Sequence, residues 1–121
     1  PLFLDPRAAG AVIDALKWLD KEGRFRLAAA LLMPDHLHAV FELKTGTLPQ
    51  VMHSLKSYTA KQVKYLLQLP SAVWQEQYHD HAVRKSESLN DVVLYMLHNP
   101  VRAGLVKDFH EYPFWWCRWK I

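Results

Sequence analysis

The chain is predicted to fold as an α+β domain, with helices packed against an antiparallel sheet. Three observations carry this. Apolar residues between Ala8 and Leu19 recur at helical spacing. Two apolar runs, 25–33 and 36–43, are separated only by Pro34-Asp35, the pattern of a hairpin. Two later capping signatures, at Thr47 and Ser88, each open a further helical run. With 121 residues, half of them hydrophobic, the chain reads as one domain, 1–121, able to bury a single core.

The elements follow in order. Asp5 is expected as an N-cap, with Pro6 at the first helical position. Ala8, Ala9, Val12, Ile13, Leu16 and Leu19 form the apolar face, and Gly23 is the candidate C-cap. Residues 25–33 read as a buried strand and 36–43 as its partner, and Gly46 marks the next turn. Thr47-Leu48-Pro49-Gln50 has the form of a capping box with an early proline. Leu48, Val51, Met52, Leu55, Tyr58, Gln62, Tyr65 and Leu66 then give a long amphipathic helix. Leu69-Pro70-Ser71 is a break, and 73–84 reads as extended. Ser88-Leu89-Asn90-Asp91 opens a last helix, which Pro100 ends at or near Asn99. Residues 101–121 form a tail rich in aromatics: Tyr112, Phe114, Trp115, Trp116 and Trp119. This order implies an α+β sandwich. A ferredoxin-like layout would begin with a strand ahead of the first helix; here that strand is missing or lies upstream of Pro1.

Composition narrows the function classes. The single cysteine, Cys117, excludes an internal disulfide and points to a reducing compartment. No stretch approaches the ~20 apolar residues of a membrane span, and no signal peptide is seen, so the chain reads as cytoplasmic. The formal charge is only +3, but it is unevenly spread. Between Leu43 and Gln75 there is no Asp or Glu, while Lys44, Lys56, Lys61 and Lys64 all fall there. Lys61 and Lys64, with Ser54, lie largely off the apolar stripe. A one-signed stretch of this kind suits a polyanion.

Two constellations carry chemistry. In a strand over 36–43, His36 and His38 project from the same face, where two imidazoles can grip a divalent metal. His79-Asp80-His81 is a rival pair with the same spacing. Tyr95 and Asn99, at i and i+4, share one face of the last helix, with His98 near it. A tyrosine with its usual pKa near ~10 becomes a nucleophile when a base or positive field helps remove its proton. A neighbouring metal polarises a phosphate for attack, and an Asn carboxamide is an oxygen ligand. Tyr78 and Tyr58 are rival nucleophiles, though Tyr58 falls on an apolar stripe and is better explained by packing. Trp74, Trp115, Trp116 and Trp119 are candidates for stacking on unpaired bases, with core packing the competing reading.

Three blocks together resemble a known family. Met33-Pro34-Asp35-His36-Leu37-His38-Ala39-Val40-Phe41 is similar to the His-hydrophobic-His (HUH) motif of single-tyrosine transposases. Trp74 to Arg84 resembles a second block of that family, and Tyr95 to Val106 a third. All three in order resemble the REP-associated tyrosine transposases, related to the insertion-sequence single-strand transposases, over about Pro1 to Tyr112.

The resemblance implies a ferredoxin-like sheet with the HUH pair on a central strand and the nucleophile on a C-terminal helix. It implies that His36, His38 and Asn99 hold Mg²⁺ or Mn²⁺ and that Tyr95 is the nucleophile. It implies cleavage and rejoining of single-stranded DNA beside a palindromic hairpin through a 5′-phosphotyrosine, in a cytoplasmic, nucleoid-associated protein. Lys56, Lys61, Lys64, Arg84, Lys85 and Arg102 are the candidate phosphate contacts. The family's N-terminal strand has no counterpart ahead of Pro1-Leu2-Phe3 in this chain. Two other readings stand beside the enzyme: an inactive module that binds hairpin DNA or RNA, and a metal-dependent hydrolase that uses water instead of tyrosine. Monomer and homodimer are both open, as is the use of Tyr95 in cis or in trans.

Overall fold

A computed structural model of the chain describes residues 5–67 and 88–121, and of residues 62–67 the backbone only. The expected extended segment 73–84 lies outside the described residues, together with Trp74, Tyr78, His79, His81, Arg84 and Lys85.

Helix α1 spans Pro6–Lys21. It starts where the Asp5 carboxylate accepts the Arg7 backbone N–H at 2.9 Å, and Pro6 sits in the first turn, where no helical donor is needed. It ends in a Schellman motif. The Gly23 N–H donates to the Asp20 carbonyl and the Arg24 N–H to that of Leu19, each at 3.0 Å. Gly23 has φ 77°, which only glycine adopts without strain.

Strands β1 (Phe25–Met33) and β2 (His36–Leu43) form the expected antiparallel hairpin, with Met33 opposite His36 and Phe25 opposite Leu43. The register shifts between Leu27 and Ala29. This bulge reverses the side-chain parity of β1: Phe25 and Leu27 face the same core as Ala30 and Leu32, while Ala29, Leu31 and Met33 face the other. A third strand, β3 (Trp115–Cys117), pairs antiparallel with the far edge of β1, Ala29 opposite Cys117 and Leu31 opposite Trp115. The order is β2-β1-β3. Part of what reads as an aromatic tail is therefore sheet. Among the described residues β1 lies between its two partners, and β2, which carries the histidine pair, has β1 as its described neighbour.

Helix α2 (Leu48–Leu67) is opened by a reciprocal capping box. The Thr47 N–H donates to Gln50 Oε1 at 2.9 Å and the Gln50 N–H to Thr47 Oγ1 at 3.3 Å. Helix α3 (Leu89–Leu97) is capped by Ser88, whose hydroxyl accepts the Asp91 N–H at 3.3 Å. It stops earlier than expected, at Leu97, and a short helix α4 (Asn99–Arg102) restarts with Pro100 in its first turn.

Two cores sandwich the sheet. On one face Val12, Leu16 and Leu19 of α1 and Val51 and Leu55 of α2 pack on Leu27 and Leu32. On the other, Val93, Met96 and Leu97 of α3 pack on Ala29, Leu31 and Met33, closed by Phe109 and Tyr112. Burial on both faces explains the nearly unbroken apolar run of β1. The C-terminal segment is tied in by polar contacts: Arg118 pairs with Asp20 and donates to the Leu27 carbonyl, and Trp119 Nε1 donates to Asn90 at 2.9 Å. The buried Tyr112 hydroxyl donates to the Leu32 carbonyl across the core. Tyr112→Phe leaves that packing in place but strands the acceptor, and is expected to lower stability by about 1–2 kcal/mol, read as a lower urea midpoint at unchanged slope. No helix among the described residues is long and apolar enough to cross a membrane.

Candidate functional site

Alternation along β2 decides where the histidines go. Leu37, Ala39 and Phe41 pack toward α1 and α2, whereas Val40 packs into the core beneath α3. His36 and His38 share the parity of Val40, so they project from the α3 face of the sheet. Their Nε2 atoms are 3.0 Å apart and their rings meet edge to face. Two nitrogens each about 2.1 Å from one ion, at right angles around it, lie about 3.0 Å apart. The pair thus has the spacing of two adjacent ligands.

The His36 tautomer is set by its neighbour. His36 Nδ1 donates to the Asp35 carboxylate at 2.6 Å, which leaves Nε2 as the lone-pair nitrogen of the neutral ring. This is the carboxylate–histidine arrangement that orients metal-binding imidazoles. The bond from His36 is the main reason the Asp35 carboxyl is held below its ordinary value. Burial, then the charges of His36 and Arg102, hold the His38 imidazole below its ordinary value. A neutral imidazole is the ligand form. Sequence reasoning gave Asp35 only a turn role. Its available signal was a carboxylate directly preceding the first histidine.

The third candidate ligand is placed by the break between α3 and α4. Pro100 has no N–H to offer the Met96 carbonyl four residues earlier. The Asn99 side chain supplies the missing donor, Nδ2 reaching the Met96 carbonyl at 2.8 Å. With its nitrogen so engaged, the carboxamide presents its oxygen as the remaining acceptor. His98 also turns back on the helix, Nδ1 donating to the Leu94 carbonyl at 2.6 Å, and its ring packs on Phe109.

Tyr95 stands on α3 away from the buried Val93, Met96 and Leu97, with 70% of its surface exposed. Helix α3 and the histidine pair occupy the same face of the sheet. The other tyrosines with described side chains sit elsewhere. Tyr58 stacks on Trp18 of α1, ring centroids 5.8 Å apart, on the opposite face, though it is more exposed than its place on an apolar stripe suggests. Tyr112 is buried in the core.

The lysines divide differently from the histidines. Lys56 and Lys61 belong to α2, across the sheet from His36 and His38. Lys64 lies on the same helix, its side chain outside the described residues. Arg102, by contrast, is brought to the site: its guanidinium lies 4.0 Å from the Tyr95 ring centre and its charge is felt at His38. Trp115 and Trp116 lie on β3 and are half-buried, which favours packing over stacking on bases. Among the described residues no group of three or more His, Cys, Asp or Glu gathers to hold a metal. The candidate ligands with described side chains are the two imidazoles on β2 and the Asn99 carboxamide that follows α3.

The chain is 29% identical over 90 residues to the REP-associated tyrosine transposase of Escherichia coli K12, covering 74% of this chain and 53% of that protein. A solved structure described as the REP-associated tyrosine transposase bound to a REP hairpin superposes with a TM-score of 0.65 at 26% identity, over 87% of this chain and 62% of that one. The chain therefore spans about half the length of the Escherichia coli relative. The family model for IS200-like transposases matches residues 4–99. The matched region contains both histidines, Tyr95 and Asn99, and the chain belongs to the IS200-like transposase family.

Proposed function

We propose that this chain is a metal-dependent DNA transposase and nuclease that cuts and rejoins single-stranded DNA beside palindromic hairpins through Tyr95. The observation that carries the reading is the convergence of the His36 and His38 Nε2 atoms at 3.0 Å on the sheet face that α3 covers. Membership of the transposase family supports it, as does the hairpin in the description of the structural neighbour.

His36, His38 and the Asn99 carboxamide oxygen would hold Mg²⁺ or Mn²⁺, a nitrogen and oxygen set that accommodates either. The ion, when bound, polarises the scissile phosphate and orients it for attack. Asp35 keeps the His36 ring in the ligand tautomer. Tyr95, exposed on α3, is open to an incoming strand. In the cleavage step Tyr95 Oη gives its proton to water and forms a bond to phosphorus. The bond from phosphorus to the 3′ oxygen breaks, and that oxygen takes a proton to become a free 3′-OH. The resulting 5′-phosphotyrosine conserves the energy of the diester, so a 3′-OH can later attack it and release Tyr95 without nucleotide hydrolysis. Lys56, Lys61, Lys64, Arg84 and Lys85 are proposed phosphate contacts. With Lys56 and Lys61 on α2, such contacts would need DNA that continues around to the far face of the sheet.

The test is a denaturing gel of the protein with a panel of labelled hairpins carrying single-stranded flanks, with Mg²⁺, Mn²⁺ or chelator. The expected result is a protein-linked band that requires the ion. Salt-dependent binding with no linked band on any hairpin would instead identify an inactive hairpin-binding module.

A further inference from the structure

The end of α3 is finished by side chains. His98, Arg102 and Asn99 donate in turn to the carbonyls of Leu94, Tyr95 and Met96. Two of these contacts are local, spanning three or four residues. The contact from Arg102 spans seven and bridges the break at His98, from α4 back to α3.

Arg102 does more than cap the helix. Its Nη2 donates to the Tyr95 carbonyl at 2.8 Å, and its guanidinium carbon lies 4.0 Å from the centre of the Tyr95 ring. One planar group therefore grips both the main chain and the side chain of the same residue. An exposed tyrosine on a helix otherwise keeps more than one staggered rotamer. A cation over the ring face opposes that freedom, and anchoring the cation to the residue's own carbonyl fixes the ring relative to the helix. Arg suits this task better than Lys, because its rigid fork can bond in its plane while its face stacks.

We propose that Arg102 is a positioning residue that holds the Tyr95 ring in its attacking rotamer. The assignment rests on the reading of Tyr95 as nucleophile, and it departs from a role for Arg102 as a simple phosphate contact. A nucleophile held near its attack position is worth orders of magnitude in rate, and a small misplacement costs up to roughly 100-fold.

Two measurements test it, the first free of DNA and metal. In protein labelled with 3-fluorotyrosine, the Tyr95 signal is identified by its loss in Tyr95→Phe. Arg102→Ala is expected to move that signal toward the value of a freely rotating tyrosine, while the other tyrosine signals stay in place and report an intact fold. The second is the single-turnover rate of adduct formation at saturating hairpin with Mn²⁺. Arg102→Ala is expected to slow it by roughly 10- to 100-fold, with hairpin Kd within about twofold of the parent. Arg102→Lys is expected to restore only part of the rate, although it restores the charge.

An unmoved Tyr95 signal overturns the proposal. So does a weaker Kd with a smaller salt dependence and an unchanged saturated rate, which is the signature of a phosphate contact. If the parent protein forms no adduct, the nucleophile reading fails, and a moved fluorine signal would then show a clamp without the catalytic purpose assigned to it.

Discussion

Tyr95→Phe is expected to abolish the covalent protein–DNA adduct while leaving the fold and hairpin affinity unchanged. The substitution deletes one oxygen from a side chain that is 70% exposed, packed on Arg102 through its ring, so the cation contact survives. A change of that kind at the surface alters stability by no more than about 0.5 kcal/mol. On the proposed mechanism the chemistry, in contrast, loses its nucleophile, and removing an enzyme's nucleophile lowers turnover by roughly 10⁴-fold or more. Binding should follow the parent curve at each salt concentration, because no charge has changed. The other described tyrosines cannot substitute: Tyr58 is across the sheet and Tyr112 is buried with its hydroxyl engaged. Cleavage that persists in Tyr95→Phe, without a linked product, would show that water is the nucleophile and would return the chain to the hydrolase reading.

The parts of the fold that were legible in sequence are those with local chemical punctuation. Asp5-Pro6 and Gly23 bracket α1, Pro34-Asp35 divides β1 from β2, and Thr47 with Gln50 opens α2; each marker acts through hydrogen bonds within a few residues. β3 has no such marker. Three residues, Trp115–Cys117, are too short to display a period of two, and they become a strand only because the edge of β1 offers partners 84 to 88 positions away. The bulge in β1 was hidden for a related reason: Leu27-Ala28-Ala29-Ala30-Leu31 is apolar throughout, so no alternation reveals where the parity reverses. At the site, the i, i+2 spacing of His36 and His38 did translate into convergent nitrogens, since strand geometry leaves little freedom. The partnership of Arg102 with Tyr95 was not legible, because it crosses from one side of the stop at Leu97 to the other and no local signal marks it. Pro100 was read as a terminator; it also sits in the first turn of α4.

Removal of either histidine is expected to eliminate specific divalent-ion binding, and removal of Asp35 to weaken it without eliminating it. His36→Ala and His38→Ala each leave one imidazole and an amide oxygen, too few protein donors to compete with water for Mn²⁺. Asp35→Asn retains both nitrogens. It replaces a charged acceptor with an amide that can present either end to His36 Nδ1, so the ring is no longer held in one tautomer. Loss of an outer partner of this type costs roughly 10- to 100-fold in metal affinity. Titration calorimetry with Mn²⁺ reads all three variants on one scale. The predicted order is parent, then Asp35→Asn, then the two alanine variants together at background. The adduct yield should follow the same order and recover in Asp35→Asn at raised Mn²⁺, because mass action refills a weakened site but not a dismantled one. Equal affinities for Asp35→Asn and the parent would show that the carboxylate merely borders the site. Unchanged binding in both alanine variants would place the ion elsewhere, and the rival pair His79 and His81 would be the next residues to replace.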